Sequence, residues 1–326
     1  MAFPALPGGR HQESNKKFRM KLNELYDKYK SGALKKRQYI NFMHKKHQTL
    51  FDYFDYIKDT DIQSITIDND SMYVTIKGSN IKLLLDRFDS RFIPIEVLNF
   101  HSFDPQESDL LFSVANTCKT IFDIGANIGW YALNFAKKTA NVRKIYAFEP
   151  IPRTYQYLEK HLKLNNIKNV SAFNLGFSDT IEEKTFFWTK EESGSASMEN
   201  IQKRASINEV KCKVTTLDHF MKNRRNTIDL IKCDVEGAEL LVFKGAIETL
   251  KKSKPIIYSE MLRKWSKKFG YYPDDIINFL ADIGYHCYGY VDSKIEKINS
   301  VSSELKTTNF FFFHKESHKR TIKSFR

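Results

Sequence analysis

Apolar residues recur along this chain in two rhythms, and the change between them falls near residue 108. Before it, Phe18, Leu22, Leu25 and Tyr29 are spaced three or four apart with lysines between them. That spacing predicts an amphipathic helix over 13–31, stopped by Ser31-Gly32. A second helical stripe follows in Ile40, Met43, His47, Leu50, Phe54 and Ile57. Two such helices are expected to pair as a hairpin or to cap the body, a reading that outweighs membrane or partner binding. His47 is then a packing residue. Residues 63–68 and 72–77 alternate with period two around Asn69-Asp70-Ser71, which predicts a β-hairpin.

From about residue 108, short apolar runs alternate with helical patterns. The runs at 120–124, 143–148, 169–175, 228–233, 255–260, 285–290 and 308–313 are read as strands, and 129–138, 152–165, 238–251 and 273–283 as helices. Such alternation predicts a mostly parallel sheet covered on both faces. Four consecutive phenylalanines, Phe310 to Phe313, suit a late antiparallel strand buried on both sides. The expected organisation is a helical and β-hairpin extension over 1–107, an α/β domain over 108–313 and a basic tail over 314–326.

Composition agrees with a packed protein. The chain has 326 residues, 41% of them hydrophobic and 14% aromatic, enough for a substantial core and against global disorder. No run approaches the roughly 20 apolar residues of a membrane span, and residues 1–10 lack the apolar stretch of a secretory signal. Cys118, Cys212, Cys233 and Cys287 form no C-x-x-C pair, which favours reduced cysteines in a cytoplasmic protein over a zinc site or disulfide framework. The net charge of +13 resides at the ends: residues 1–50 carry +9, residues 314–326 carry +4, and the body sums to zero. Basic ends suit an anionic membrane surface or an acidic acceptor, and a merely solvated face explains them equally well.

The most informative stretch is Ile121-Phe122-Asp123-Ile124-Gly125-Ala126-Asn127-Ile128-Gly129. A strand passes through an acidic residue into a glycine turn and then a helix. Gly125 allows the turn, Gly129 allows close approach at the helix start, and the helix N-terminus offers N–H groups to an anionic ligand. Glu149, 26 residues after Asp123, ends the next strand, where a carboxylate can take both ribose hydroxyls of a nucleoside cofactor. A dinucleotide site prefers G-x-G-x-x-G. The third glycine is missing here, which favours S-adenosyl-L-methionine (SAM), whose methionine end has no pyrophosphate. Asp123, Gly125, Ala126, Asn127, Gly129 and Glu149 are therefore the expected cofactor residues, with Asn174 near the adenine.

Further landmarks are Phe148-Glu149-Pro150, Thr216-Leu217-Asp218, the run Asp234-Val235-Glu236-Gly237-Ala238-Glu239 after an apolar strand, and Tyr258-Ser259-Glu260. With the glycine turn they resemble the FkbM-type family of SAM-dependent methyltransferases over about 108–313. The resemblance implies a class I (Rossmann-like) α/β fold, with a seven-stranded mostly parallel sheet and an antiparallel last strand. It also implies acceptors that are mostly hydroxyls of saccharides, glycolipids or natural products.

An alcohol is almost un-ionised at neutral pH, so its methylation needs a base or a metal. Asp234, Glu236 and Glu260 fall at the ends of the fourth and fifth strands, over which open α/β sheets bind ligands. They are the candidate catalytic residues. Asp234, ending an apolar strand, is expected to be desolvated. Glu236 and Glu239 lie in the first turn of the next helix, where carboxylates favour the dipole; for Glu239 that role suffices. Three carboxylates also suit Mg²⁺, the less favoured reading because no regular ligand spacing is present. Asp218 precedes a short helix and is expected to cap it or to give structural support. Ser193 to Met198 is a small-residue loop able to close over the cofactor. Trp188, Trp265, Tyr271 and Tyr272 suit either a sugar platform or the core. Two rival functions stay open. An RNA ribose 2′-O-methyltransferase would pair lysines with an aspartate, and neither Lys232 nor Lys254 is visibly paired with Asp234. The other is a basic binding protein with an idle SAM pocket.

Overall fold

The computed structural model describes residues 20–326 except 104, 193, 195, 201–206, 292–293, 303–304, 306 and 325–326. Contacts divide the chain into two units, Met1–Thr60 and Asp61–Arg326.

In the first unit, helices α1 (Leu22–Lys30) and α2 (Lys36–Tyr56) pair where Tyr29 stacks on Tyr39 at 4.6 Å, with Leu25 and Leu34 buried. The expected packing stripe is only partly used: Ile40, Leu50 and Phe54 are exposed.

The second unit opens with the expected hairpin, β1 (Ile62–Ile67) and β2 (Met72–Ile76), extended by a third strand β3 (Lys82–Leu84). Helices α3 (Ile93–Phe100) and α4 (Pro105–Ala115) follow. Residues 61–107, expected to belong with the N-terminal extension, fall in the same unit as the body. Their ties run to the helix Pro152–Leu164 and its C-cap Asn165: Lys82 N donates to Asn165 Oδ1 at 2.7 Å, Leu84 N to His161 Nε2 at 2.9 Å, and Arg153 holds Asp86 at 2.7 Å.

The body alternates β4 (Thr120–Ile124), α5 (Trp130–Lys138), β5 (Lys144–Phe148), α6 (Pro152–Leu164) and β6 (Val170–Phe173). A small sheet then forms from β7 (Gly176–Phe177), β8 (Glu182–Trp188) and β9 (Asn208–Thr215), with α7 (Leu217–Met221) after it. The chain continues through β10 (Leu230–Cys233), α8 (Glu239–Lys244), α9 (Ile247–Ser253) and β11 (Ile256–Glu260). It ends with α10 (Arg263–Ser266), α11 (Pro273–Asp282), β12 (Tyr285–Val291), β13 (Lys294–Ile298), β14 (Asn309–His314) and α12 (Lys319–Ser324). Among the described residues the main sheet has eight strands in the order β13-β12-β14-β11-β10-β4-β5-β6. Strands β11, β10, β4, β5 and β6 are parallel, and β14 is antiparallel to both neighbours. This is the expected class I methyltransferase sheet with one addition, the edge strand β13 hairpinned onto β12.

The two-sided burial of the sheet follows from side-chain alternation. Phe122, Ile124, Phe310 and Phe312 enter one core cluster, while Ile121, Phe311 and Phe313 enter the other. The helix expected over 238–251 breaks at Gly245, where a Cβ would collide with the Ser178 carbonyl, so the chain there is pressed against the small sheet's first turn. Asp218 lies inside α7, which Thr216 caps by accepting from His219 N, and its carboxylate instead ties α7 to α9, accepting from Glu248 N and Thr249 N at 3.1 and 2.7 Å. The four cysteines are free and buried.

Candidate active site

A cavity of about 850 Å³ opens over the carboxyl ends of β4, β5, β10 and β11, within the size range of ligand sites. On one side lies the glycine turn. Gly125 (φ +76°), Asn127 (φ +49°) and Gly129 (φ +94°) all take left-handed conformations. A Cβ on Gly125 would strike the Asp234 carbonyl, and one on Gly129 would approach Leu158 Cδ1 at 2.6 Å. Both glycines thus serve close packing of the turn against β10 and α6.

Glu149 binds the turn to the next loop. Its carboxylate accepts from Asn127 N (2.9 Å), Ile151 N (2.9 Å) and the Thr154 hydroxyl (2.7 Å). Burial pushes its carboxyl up, and the three donors draw it back in part. Asn174, expected near the adenine, donates to the carbonyls of Glu149 and Pro150 at 2.9 and 2.8 Å. Of the expected cofactor residues, Gly125, Ala126, Asn127 and Glu149 line the cavity. Asp123, Gly129 and Asn174 are, among the described residues, not in its lining.

On the other side Asp234, Glu236 and Glu260 converge, with one oxygen from each within 4.8 Å of the others. Among the described residues this is the group of carboxylates whose spacing also suits a metal ion. Burial raises the Glu236 and Glu260 carboxyls well above their ordinary range, and the neighbouring Asp234 charge raises both further. Asp234, expected to be desolvated, is only partly buried, as are the two glutamates. The Asp234 side chain keeps 33% of its surface and takes a counter-ion.

That counter-ion is Lys232, which the sequence reading left unpaired. Its Nζ lies 3.3 Å from Asp234, 3.6 Å from Asp123 and donates to Gly125 O at 3.0 Å, and Lys232 itself lines the cavity. Burial alone would lower its pKa, but the two carboxylates reverse this and keep the ammonium charged. One buried cation thus links the strand acid, the glycine turn and the candidate base cluster. The sequence held a signal for it: a lysine within the otherwise apolar run 230–233 needs a partner to be buried.

Glu239, expected only to favour a helix dipole, reaches back to accept from Val235 N and Gly237 N, both at 3.1 Å. Burial raises its carboxyl to about 7. The remaining wall was not foreseen. Arg91, Phe92 and Glu96 come from the segment preceding α3 and α3 itself, and Gly176, Phe177 and Phe186 from the small sheet. Gly194, Ala196 and Met198 of the expected covering loop also line the cavity, while Ser193 and Ser195 lie outside the described residues. Of the four aromatics considered as platforms, Trp265 lines the cavity, Tyr271 is buried, Tyr272 is exposed, and Trp188 sits beside Arg153.

Against known protein families, the model described as the methyltransferase FkbM domain matches residues 123–287, which is half of the chain. The chain belongs to the FkbM methyltransferase family. Among curated proteins it is 29% identical over 195 residues to a protein named methyltransferase sdnD from Sordaria araneosa, covering 50% of this chain and 71% of that one. It is 30% identical over 143 residues to methyltransferase 1 from Beauveria bassiana, covering 38% and 57%. A tRNA (guanine(37)-N(1))-methyltransferase, Trm5b of Pyrococcus abyssi, matches at 30% over 114 residues, 34% of this chain and 33% of that one. Solved structures of similar fold include the FkbM methyltransferase of Methylobacillus flagellatus (TM-score 0.39, 16% identity, 60% of this chain and 43% of that one). Another is the precorrin-6y C5,15-methyltransferase of Geobacter metallireducens (TM-score 0.37, 12% identity, 73% and 94%). The FkbM match spans both the glycine turn and the carboxylate cluster. Among the described residues no helix is long and apolar enough to cross a membrane.

Proposed function

We propose that this FkbM methyltransferase uses SAM to methylate a hydroxyl on a saccharide, glycolipid or natural product, with a carboxylate taking the proton. The observation that carries the reading is the meeting of Asp234, Glu236 and Glu260 in the same cavity as the glycine turn and Glu149. The lining suits the cofactor. Its turn leaves no room for a side chain at Gly125, and Glu149 presents a carboxylate at the cavity with its backbone-facing lone pairs already occupied.

When bound, SAM supplies a methyl group already activated by its sulfonium. The protein's part is alignment, exclusion of water and removal of one proton. Glu236 and Glu260 are the better proton acceptors, because a carboxylate of raised pKa binds a proton more firmly in the transition state. Lys232 fixes Asp234 and with it the floor against which the acceptor hydroxyl would rest. Trp265 and Phe92 offer apolar surface of the kind sugar rings use.

A second acceptor class, RNA ribose, is favoured by the pairing of Lys232 with Asp234 and by the basic ends. Incubating the protein with isotope-labelled SAM and a panel of glycans, small alcohols and RNA, followed by mass spectrometry, separates the two. Label on a glycan or alcohol oxygen is the expected result, and label only on RNA overturns the choice of acceptor. SAM binding without transfer to any hydroxyl favours an idle pocket in a binding protein.

A further inference from the structure

Glu236 stands in a conformation that its own residue type does not favour. Its φ is +54°, in the left-handed region, which is strained for a non-glycine residue. Gly237 follows at φ +99°, and a Cβ there would meet Trp265 Cβ at 2.9 Å and Phe269 Cε2 at 3.0 Å. Such a turn persists only if its surroundings hold it. The holding groups are specific. Glu239 Oε1 takes both Val235 N and Gly237 N, the amides on either side of Glu236. The Tyr271 hydroxyl donates to Gly237 O at 2.6 Å and accepts from Leu240 N at 3.2 Å. It also lies 3.3 Å from Glu239 Oε2. The Gly237 peptide is therefore gripped at both its N–H and its carbonyl. Glu239 is 2% exposed and Tyr271 6%, and among the described residues neither lines the cavity.

We propose that Glu239 and Tyr271 are positioning residues that hold Glu236 in its left-handed turn, so that its carboxylate faces Asp234 and Glu260. The proposal rests on the methyl-transfer reading for its consequence, but its geometry stands apart from that reading. The amide of a glutamine at 239 reproduces the pattern: its oxygen takes the two backbone N–H groups, and its NH₂ donates to the Tyr271 oxygen. An alanine leaves both amides without an acceptor.

The test compares the parent with Glu239→Ala, Glu239→Gln and Tyr271→Phe in the full chain. Amide hydrogen exchange over 234–240 is read first, since it needs no acceptor. Exchange there is expected to quicken at least tenfold in Glu239→Ala, to quicken less in Tyr271→Phe and to stay within twofold of the parent in Glu239→Gln. Calorimetry with SAM is expected to give dissociation constants within twofold throughout. Transfer to whichever acceptor in the panel takes label is expected to fall at least tenfold in kcat for Glu239→Ala and to return in Glu239→Gln. Unchanged exchange in Glu239→Ala overturns the proposal, as does a loss of turnover that merely parallels a loss of SAM affinity. If Glu239→Ala fails to fold, Tyr271→Phe against Glu239→Gln decides in the same terms. A parent that binds no SAM defeats the methyl-transfer reading, and the exchange measurements then decide the positioning alone.

Discussion

Replacing Lys232 with methionine keeps most of the side chain's length, losing the terminal ammonium and its charge. In the folded protein Asp123 is fully buried, with Lys232 Nζ at 3.6 Å. With an effective dielectric constant of about 20, a unit pair at that separation is worth about 4–5 kcal/mol before desolvation. Stripping one partner from a buried pair leaves the other uncompensated, for a net loss of about 3–5 kcal/mol. The hydrogen bond to Gly125 O goes as well. Burial already raises Asp123, and Lys232 opposes that rise; without the lysine, Asp123 rises further and takes up a proton when it can. A carboxyl raised in the folded state contributes stability at low pH that is lost as pH climbs through its folded pKa. The deficit of Lys232→Met is therefore expected to be about 3–5 kcal/mol at pH 8 and clearly smaller at pH 5. Urea titrations at both pH values measure it. Adding Asp123→Asn to Lys232→Met removes the stranded charge and is expected to recover more than half of the loss at pH 8. A deficit below about 1 kcal/mol at pH 8, or no recovery in the double variant, would refute the account of Lys232 as the buried link.

Glu149→Ala is expected to weaken SAM binding by about 1.5–3 kcal/mol in calorimetry and to lower the urea midpoint, because it frees three donors; unchanged SAM affinity removes Glu149 from the cofactor site. Glu236→Gln and Glu260→Gln are expected to leave SAM affinity within a few-fold, while the one that removes the base lowers kcat by about 10²–10⁴. The parent's kcat/KM is expected to rise with pH through a value above the ordinary glutamate range, since burial raises both carboxyls and the base works only ionised. If both variants turn over normally and chelators abolish transfer, the cluster holds a metal. His161 is buried, accepts from Leu84 N and contacts Ile128 O, and burial lowers it from 6.5 to about 4. Its contribution is full above pH 6.5 and lost as pH falls toward 4. The parent is therefore expected to lose about 3 kcal/mol more than His161→Asn across that range, and parallel stability curves would contradict it.

What could be read from the sequence was what periodicity and a single motif encode. Strands β4, β5, β10, β11, β12 and β14 announced themselves as apolar runs, because a strand buried on both faces has no polar face to mask it. The glycine turn was legible because only glycine tolerates the contact of Gly125 with the Asp234 carbonyl. The carboxylate cluster was legible from strand ends, since all three acids follow parallel strands of one sheet. The small sheet was missed although 208–215 alternates, with Val210, Cys212 and Val214 at every second position and charge between; long polar flanks disguised it as loop. The cavity wall from 91–96 was missed because it depends on Asp86, Arg153 and Tyr157 meeting across more than 60 residues of chain. The partners of Asn174 were not legible, because adjacency in sequence to a strand end says where a residue is, not which carbonyls its amide will find.

The central claim is that one cavity brings SAM and an acceptor hydroxyl to a set of partly buried carboxylates. Its most direct measurement is transfer of a labelled methyl from SAM by the parent and by a protein lacking both Glu236 and Glu260 carboxylates as glutamines. The account expects label on an acceptor oxygen with the parent, and SAM binding without label with the double variant. A double variant that transfers methyl at the parent's rate, or a parent whose cavity takes no SAM in calorimetry, would contradict it.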